Sequence, residues 1–118
     1  MIKNNQKTEP YYFKEGCYIT ELWNEKQDEE VSIARVILPA GQKTRPHYLL
    51  HTHERYLIIR GQGKVKIDNH PDASVLPGDI VFIAAGQWQW IENTSEDQDL
   101  EFHAICTPRF KLENYFDS

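Results

Sequence analysis

The sequence predicts an all-β domain, a sandwich or closed barrel, from three observations. Hydrophobic runs rich in β-branched residues recur along the chain, Gly and Pro clusters punctuate them, and no apolar stripe of 3.6-residue period has useful length. In order, the runs are "CYITELW", "SIARVIL", "RYLIIR", "KVKID", "DIVFIAA", "WQWIEN" and "LEFHAIC". The turns between them fall at "PAG" (39–41), "GQG" (61–63), "DNHPD" (68–72), "PGD" (77–79) and "AAG" (84–86). One helix-like turn is expected in the C-terminal "PRFKLENYF", where Phe110, Tyr115 and Phe116 are placed to fold back onto the barrel.

Side chains alternate along a strand, so in "RYLIIR" Tyr56 and Ile58 share one face and Leu57 and Ile59 the other. A half-exposed strand would alternate with polar residues instead. Apolar residues on both faces of so small a domain call for a second covering layer, and a homodimer is the expected source.

At 118 residues the chain is one domain's worth, with no repeat or low-complexity linker. The expected organisation is a barrel core over about 16–107, an N-terminal extension over 1–15 and a tail over 108–118. A formal charge of −5 without a basic cluster argues against nucleic acid or an anionic membrane surface as a partner. The longest apolar run, the six residues "IVFIAA" (80–85), is far short of a membrane span. Two cysteines, Cys17 and Cys106, are too few for a disulfide scaffold, so free thiols and a cytoplasmic location are expected. Walker, Rossmann, nucleophile-elbow and zinc-finger motifs are absent.

The densest chemistry lies in "HYLLHTHE", residues 47–54. Here Gly41 is followed after five residues by His47, and Glu54 after six by Gly61. Downstream, "GDIVFIAAGQWQWIEN" gives Gly78, Ala84, Gly86, Gln89 and Asn93. The two spacings together resemble the paired motifs of the cupin superfamily, in the right order and at matching lengths. Three positions depart from the pattern: Leu49 and Gln89 stand where histidines are usual, and Ala84 where proline is usual. "ERYLIIRGQGKV" and "AICTPRF" further resemble small cupins of the mannose-6-phosphate-isomerase-like group.

That resemblance implies a jelly-roll barrel, a double-stranded β-helix, with ligands aimed into its interior. Carried over position by position, His47, Glu54 and Gln89 fall at metal-ligand positions, Glu54 following His47 after a short hairpin. The family's site suits Fe, Mn, Ni, Cu or Zn; with Leu49 and Gln89 in place of imidazoles, a divalent ion is expected to bind weakly or not at all. His51, in the hairpin, is the better-placed spare ligand; His53 ligates only if the hairpin bends. The alternative for both is a solvent-exposed loop position.

Other residues carry two readings each. His103 interrupts "LEFHAIC" and is either a replacement ligand or a core histidine bonded to a carbonyl. Cys106, on the opposite face, is expected to be a buried inert thiol. Arg45 shares the parity of His47 and either meets an anionic ligand or is a solvated strand-end residue. Tyr56, two residues beyond Glu54, is an expected pocket liner and candidate proton donor. Trp88 and Trp90 alternate with Gln89 and are expected outside, at a subunit contact, or less simply as a sugar platform. His70 is a turn residue, and "EKQDEE" (25–30) a solvated hairpin tip rather than a cation site.

The expected function is therefore a small cupin binding a divalent metal weakly and acting on a small polar molecule, such as a sugar, sugar phosphate or organic acid. Isomerase, lyase or dioxygenase chemistry is implied, with Glu54 or Tyr56 moving a proton. The alternative is a non-catalytic cupin holding a small polar ligand without metal.

Overall fold

A computed structural model describes residues 1–117 of the chain. Eleven strands form in order: β1 Tyr11–Phe13, β2 Cys17–Trp23, β3 Ser32–Leu38, β4 Tyr48–Leu49, β5 His53–Arg60, β6 Gly63–Ile67, β7 Ala73–Val75, β8 Ile80–Ile83, β9 Gln89–Asn93, β10 Leu100–Thr107 and β11 Tyr115–Phe116. A single 3-10 turn, Leu112–Asn114, is the helical element among the described residues, and it lies in the tail where one was expected. No helix there is long and apolar enough to cross a membrane.

The strands pair antiparallel into a six-stranded sheet ordered β1-β2-β3-β10-β5-β8, a three-stranded sheet β7-β6-β9 and a two-stranded ladder β11-β4. Two bridges, Lys43 with Glu92 and His47 with Gln89, extend the smaller sheet. The sheets face each other around one core, the all-β barrel expected from the sequence. Gly61 shows how tightly the corners close: its φ is +90°, and a Cβ there would lie 2.5 Å from the Asp99 carbonyl oxygen.

The registers explain how the interior changes along its length. Ile58 pairs with Phe102, Tyr56 with Ala104 and Glu54 with Cys106, so the inner face of the sheet turns from apolar to polar toward one end. At the apolar end Leu38, Ile58, Ile91, Leu100 and Phe102 are fully buried. Asn93 is also buried there, but it donates to the Leu38 and Gln98 carbonyls and accepts from the Ser95 N–H, a structural duty. Toward the polar end, Ala34 pairs with Ala104 and Ser32 with Cys106. Opposed small side chains leave space between the sheets, and that space is the cavity.

Some expectations need correcting. β4 and β5 are not a hairpin ladder: β4 pairs with β11, and the Leu50 N–H donates to the Asn114 carbonyl at 2.9 Å. The tail takes the ladder that β5 was expected to fill, and residues 50–52 carry the chain from one sheet to the other. The supposed extension 1–15 contains β1, which pairs with β2. The hairpin tip is not simply solvated, since Glu29 binds Arg109 at 3.2 Å and Lys111 at 3.1 Å and pins the tail.

Candidate functional site

At the polar end, the small cavity is lined mainly by apolar and aromatic side chains, with Glu15, Glu21, His47 and Glu54 among its charged groups. His47 is only 2% exposed. Its Nδ1 lies 2.7 Å from the Arg45 carbonyl oxygen. A carbonyl can only accept, so Nδ1 carries a proton and Nε2 turns toward Glu15 Oε2, 3.3 Å away. An unprotonated Nε2 and a carboxylate oxygen would present two lone pairs to each other. One proton therefore sits between them, on the ring or on the carboxyl. The other carboxyl oxygen, Glu15 Oε1, accepts from the Cys17 thiol at 3.1 Å.

A second chain links β5 and β10 of the six-stranded sheet through Gln89 on β9. The Tyr56 hydroxyl donates to Gln89 Oε1 at 2.7 Å, and Gln89 Nε2 donates to Glu54 Oε1 at 2.8 Å. Glu54 Oε2 accepts from the Cys106 thiol at 3.7 Å. Burial raises the Glu54 carboxyl above its ordinary range, against the opposing pull of His47 and the Gln89 hydrogen bond. The same desolvation raises the Tyr56 hydroxyl and both thiols, which stay protonated. Tyr56 lines the cavity, but its proton is directed at Gln89 rather than into the space. Gln89 is fully buried behind Glu54 and Tyr56 and holds both in place.

Tyr115 closes the site from the tail. Its ring stacks on His47 with centroids 5.2 Å apart and planes 23° from parallel, and Phe13 meets it edge-on at 5.0 Å. Tyr115 is buried, and its hydroxyl has no hydrogen-bond partner among the described residues.

Of the residues singled out by sequence, His47, Glu54 and Tyr56 line one cavity. Gln89 lies behind that lining, and His51, His103 and Arg45 do not reach the cavity. His51 is exposed in the turn at φ 59°. His103 points to the outer face, because Leu100, Phe102, Ala104 and Cys106 hold the inner one. Arg45 is exposed and pairs with Asp117 at 3.3 Å; strand parity with His47 fails because residues 44–46 form no ladder. His53 is also exposed, its Nδ1 accepting from the Ala85 N–H at 3.1 Å. Trp88 and Trp90 flank the buried Gln89 and lie outside it, Trp88 edge-on to Tyr48. Glu15, Cys17 and Tyr115 escaped the motif spacing. Glu15 lies in the turn 14–16, off the β2 ladder, so strand parity alone could not place it.

The donors decide whether a divalent ion fits. Leu49 occupies the second ligand position and lines the cavity, Gln89 uses both ends of its amide, and His47 Nε2 faces Glu15. Among the described residues no three His, Cys, Asp or Glu side chains gather as a metal site requires. The residues present do not fit the metal set implied by the resemblance.

Comparison with known proteins places this geometry in a wider group. The family described as a cupin domain matches residues 34–106. An uncharacterized protein of Methanocaldococcus jannaschii is 35% identical over 89 residues, covering 74% of this chain and 70% of that protein. An oxalate-binding protein of Thermotoga maritima is 39% identical over 72 residues, covering 61% of this chain and 58% of that protein. Among solved structures, a predicted oxalate decarboxylase of Thermotoga maritima superposes with a TM-score of 0.80 at 25% identity, covering 92% of this chain and 99% of that one. The nucleoside dehydratase Pac13 of Streptomyces shares the fold at 14% identity, with a TM-score of 0.81 over 100% of this chain and 90% of that one.

Proposed function

The chain belongs to the cupin domain family, and on that footing we propose that its cavity performs proton-transfer chemistry on a small molecule with its own side chains. The supporting observation is a pair of carboxyl groups, Glu15 and Glu54, each tied into a separate hydrogen-bonded chain and both lining one mostly apolar space. Glu15 and His47 share a proton and form the base when the pair is relieved of it. Glu54, whose burial favours the protonated form, supplies the acid. A base that removes a C–H proton and an acid that returns one to a neighbouring atom suffice for an isomerisation, or for an elimination when the acid protonates a leaving hydroxyl.

The Thermotoga relative is named for oxalate, but the lining here offers three carboxyl groups and no lysine or arginine. With no cation in the lining, a dicarboxylate would face the Glu21 carboxylate, and like charges about 4 Å apart cost roughly 4 kcal/mol at an effective dielectric near 20. A second reading, ligand binding without turnover, is favoured by Gln89, whose amide is satisfied at both ends within the protein.

Incubation in D2O with small hydroxy and carbonyl compounds, in the presence of EDTA, tests the proposal. Deuterium should enter a C–H position with the wild type and fail to enter with Glu54→Gln. Binding without exchange would support the second reading, and exchange that needs added metal would overturn the first.

A further inference from the structure

Building on the proton-transfer pocket just proposed, we infer that the cavity selects a small organic ammonium ion over a carboxylate or phosphate. Its ionisable lining is acidic and holds no free cation: Glu15 is paired with His47, Glu54 keeps its proton through burial, and Glu21 is left as a carboxylate with no cation partner among the described residues. Lys14 stands outside the lining, its Nζ 4.8 Å from the Tyr115 ring centroid. An anion entering this space would meet the Glu21 carboxylate with no cation to receive it.

The walls suit a cation for a second reason. Phe13 meets Tyr11 at 6.5 Å and 80°, Phe110 at 6.5 Å and 88°, and Tyr115 at 5.0 Å and 78°. These rings form an aromatic corner beside the carboxylates, and ring faces attract ammonium groups, most strongly where water is excluded. The Lys14 ammonium on Tyr115 is the same interaction made by the chain's own cation.

The third observation is the Tyr115 hydroxyl. Tyr115 is 6% exposed, and its oxygen has neither a protein partner among the described residues nor solvent. A buried hydroxyl without a partner is a group awaiting one. It can accept from an N–H donor or pair with a hydroxyl on the same ligand. An amino alcohol therefore meets all three features at once.

The test uses the full chain in EDTA-containing buffer with three probes: choline, its neutral isostere 3,3-dimethylbutan-1-ol, and oxalate. Calorimetry and thermal shift should show choline binding about ten-fold tighter than the alcohol, with no response to oxalate. Glu21→Gln, a change at a half-buried position, should weaken choline several-fold and leave the alcohol unchanged. Ala104→Leu should abolish binding of both. Equal affinity for the alcohol, preference for oxalate, no binding by choline, or choline binding that survives Ala104→Leu would each overturn the inference. Binding and deuterium exchange are separate readouts, so loss of exchange with choline preference intact would count against the catalytic proposal alone.

Discussion

His47 Nε2 and Glu15 Oε2 lie 3.3 Å apart in the barrel, one contributed by the segment leading into β4 and the other by the turn before β2. The ring is fixed from behind by the Arg45 carbonyl and covered by Tyr115. This contact takes up the imidazole nitrogen that a metal would need, and the proposed proton transfer rests on it.

Glu54 gives the pH dependence. Burial raises its carboxyl in the folded protein, so the folded state holds the proton more tightly than the unfolded chain. Stability from this group is present below the ordinary carboxylate value of 4.5 and is lost as pH rises through the higher folded value. Glu54→Gln keeps an acceptor for Gln89 and removes the ionisation. Urea denaturation across pH 4 to 8 should show the variant gaining on the wild type as pH rises; parallel curves would contradict the role of burial.

Tyr115→Phe removes a hydroxyl that has no hydrogen-bond partner among the described residues. Deleting an unsatisfied buried polar atom should leave stability unchanged or raise it by about 1 kcal/mol. Ligand affinity should fall at the same time. A destabilisation of about 2 kcal/mol, measured by thermal unfolding, would mean that the hydroxyl has a structural partner.

Ala104→Leu introduces bulk at the point where Ala34 and Ala104 oppose each other across β3 and β10. Overpacking should cost about 1–3 kcal/mol and close the cavity. Ligand-induced thermal shifts should vanish while the circular dichroism spectrum remains that of a β protein. Retained ligand binding would place the ligand elsewhere.

Ile80 and Phe82, on the edge strand β8, are 62% and 52% exposed, and Ile59 on the neighbouring β5 is also exposed. Arg55 and His53 pack on the Phe82 ring, but the apolar strip stays largely exposed, and a second copy is the expected cover. Light scattering should give twice the 13.9 kDa chain mass, and Phe82→Glu should halve it. A wild-type mass of one chain would contradict this.

The barrel was legible because its strands are β-branched runs between Gly and Pro turns. "CYITELW" and "SIARVIL" coincide with β2 and β3, and "LEFHAIC" lies wholly within β10, which runs one residue further. β4 and β11, two residues each, were not legible, since a bridge that short is set by the fold rather than by local propensity. Glycine spacing located His47, Glu54 and Gln89, but Glu15 and Tyr115 come from outside that spacing. Which face of β10 points inward could have been read from Leu100, Phe102 and Ala104, which outvote the polar His103. Parity is reliable on a ladder; at Arg45, where no ladder exists, it misled.

The most direct test of the His47–Glu15 site is the 15N spectrum of the His47 ring, recorded with and without added Zn2+. The geometry requires a protonated Nδ1, an Nε2 that shares its proton with Glu15, and ring signals that Zn2+ leaves in place. Glu15→Gln should shift Nε2 and leave Nδ1 protonated. A bare Nδ1, or a Zn2+-induced shift at Nε2, would contradict the proton-handling site and restore His47 as a metal ligand.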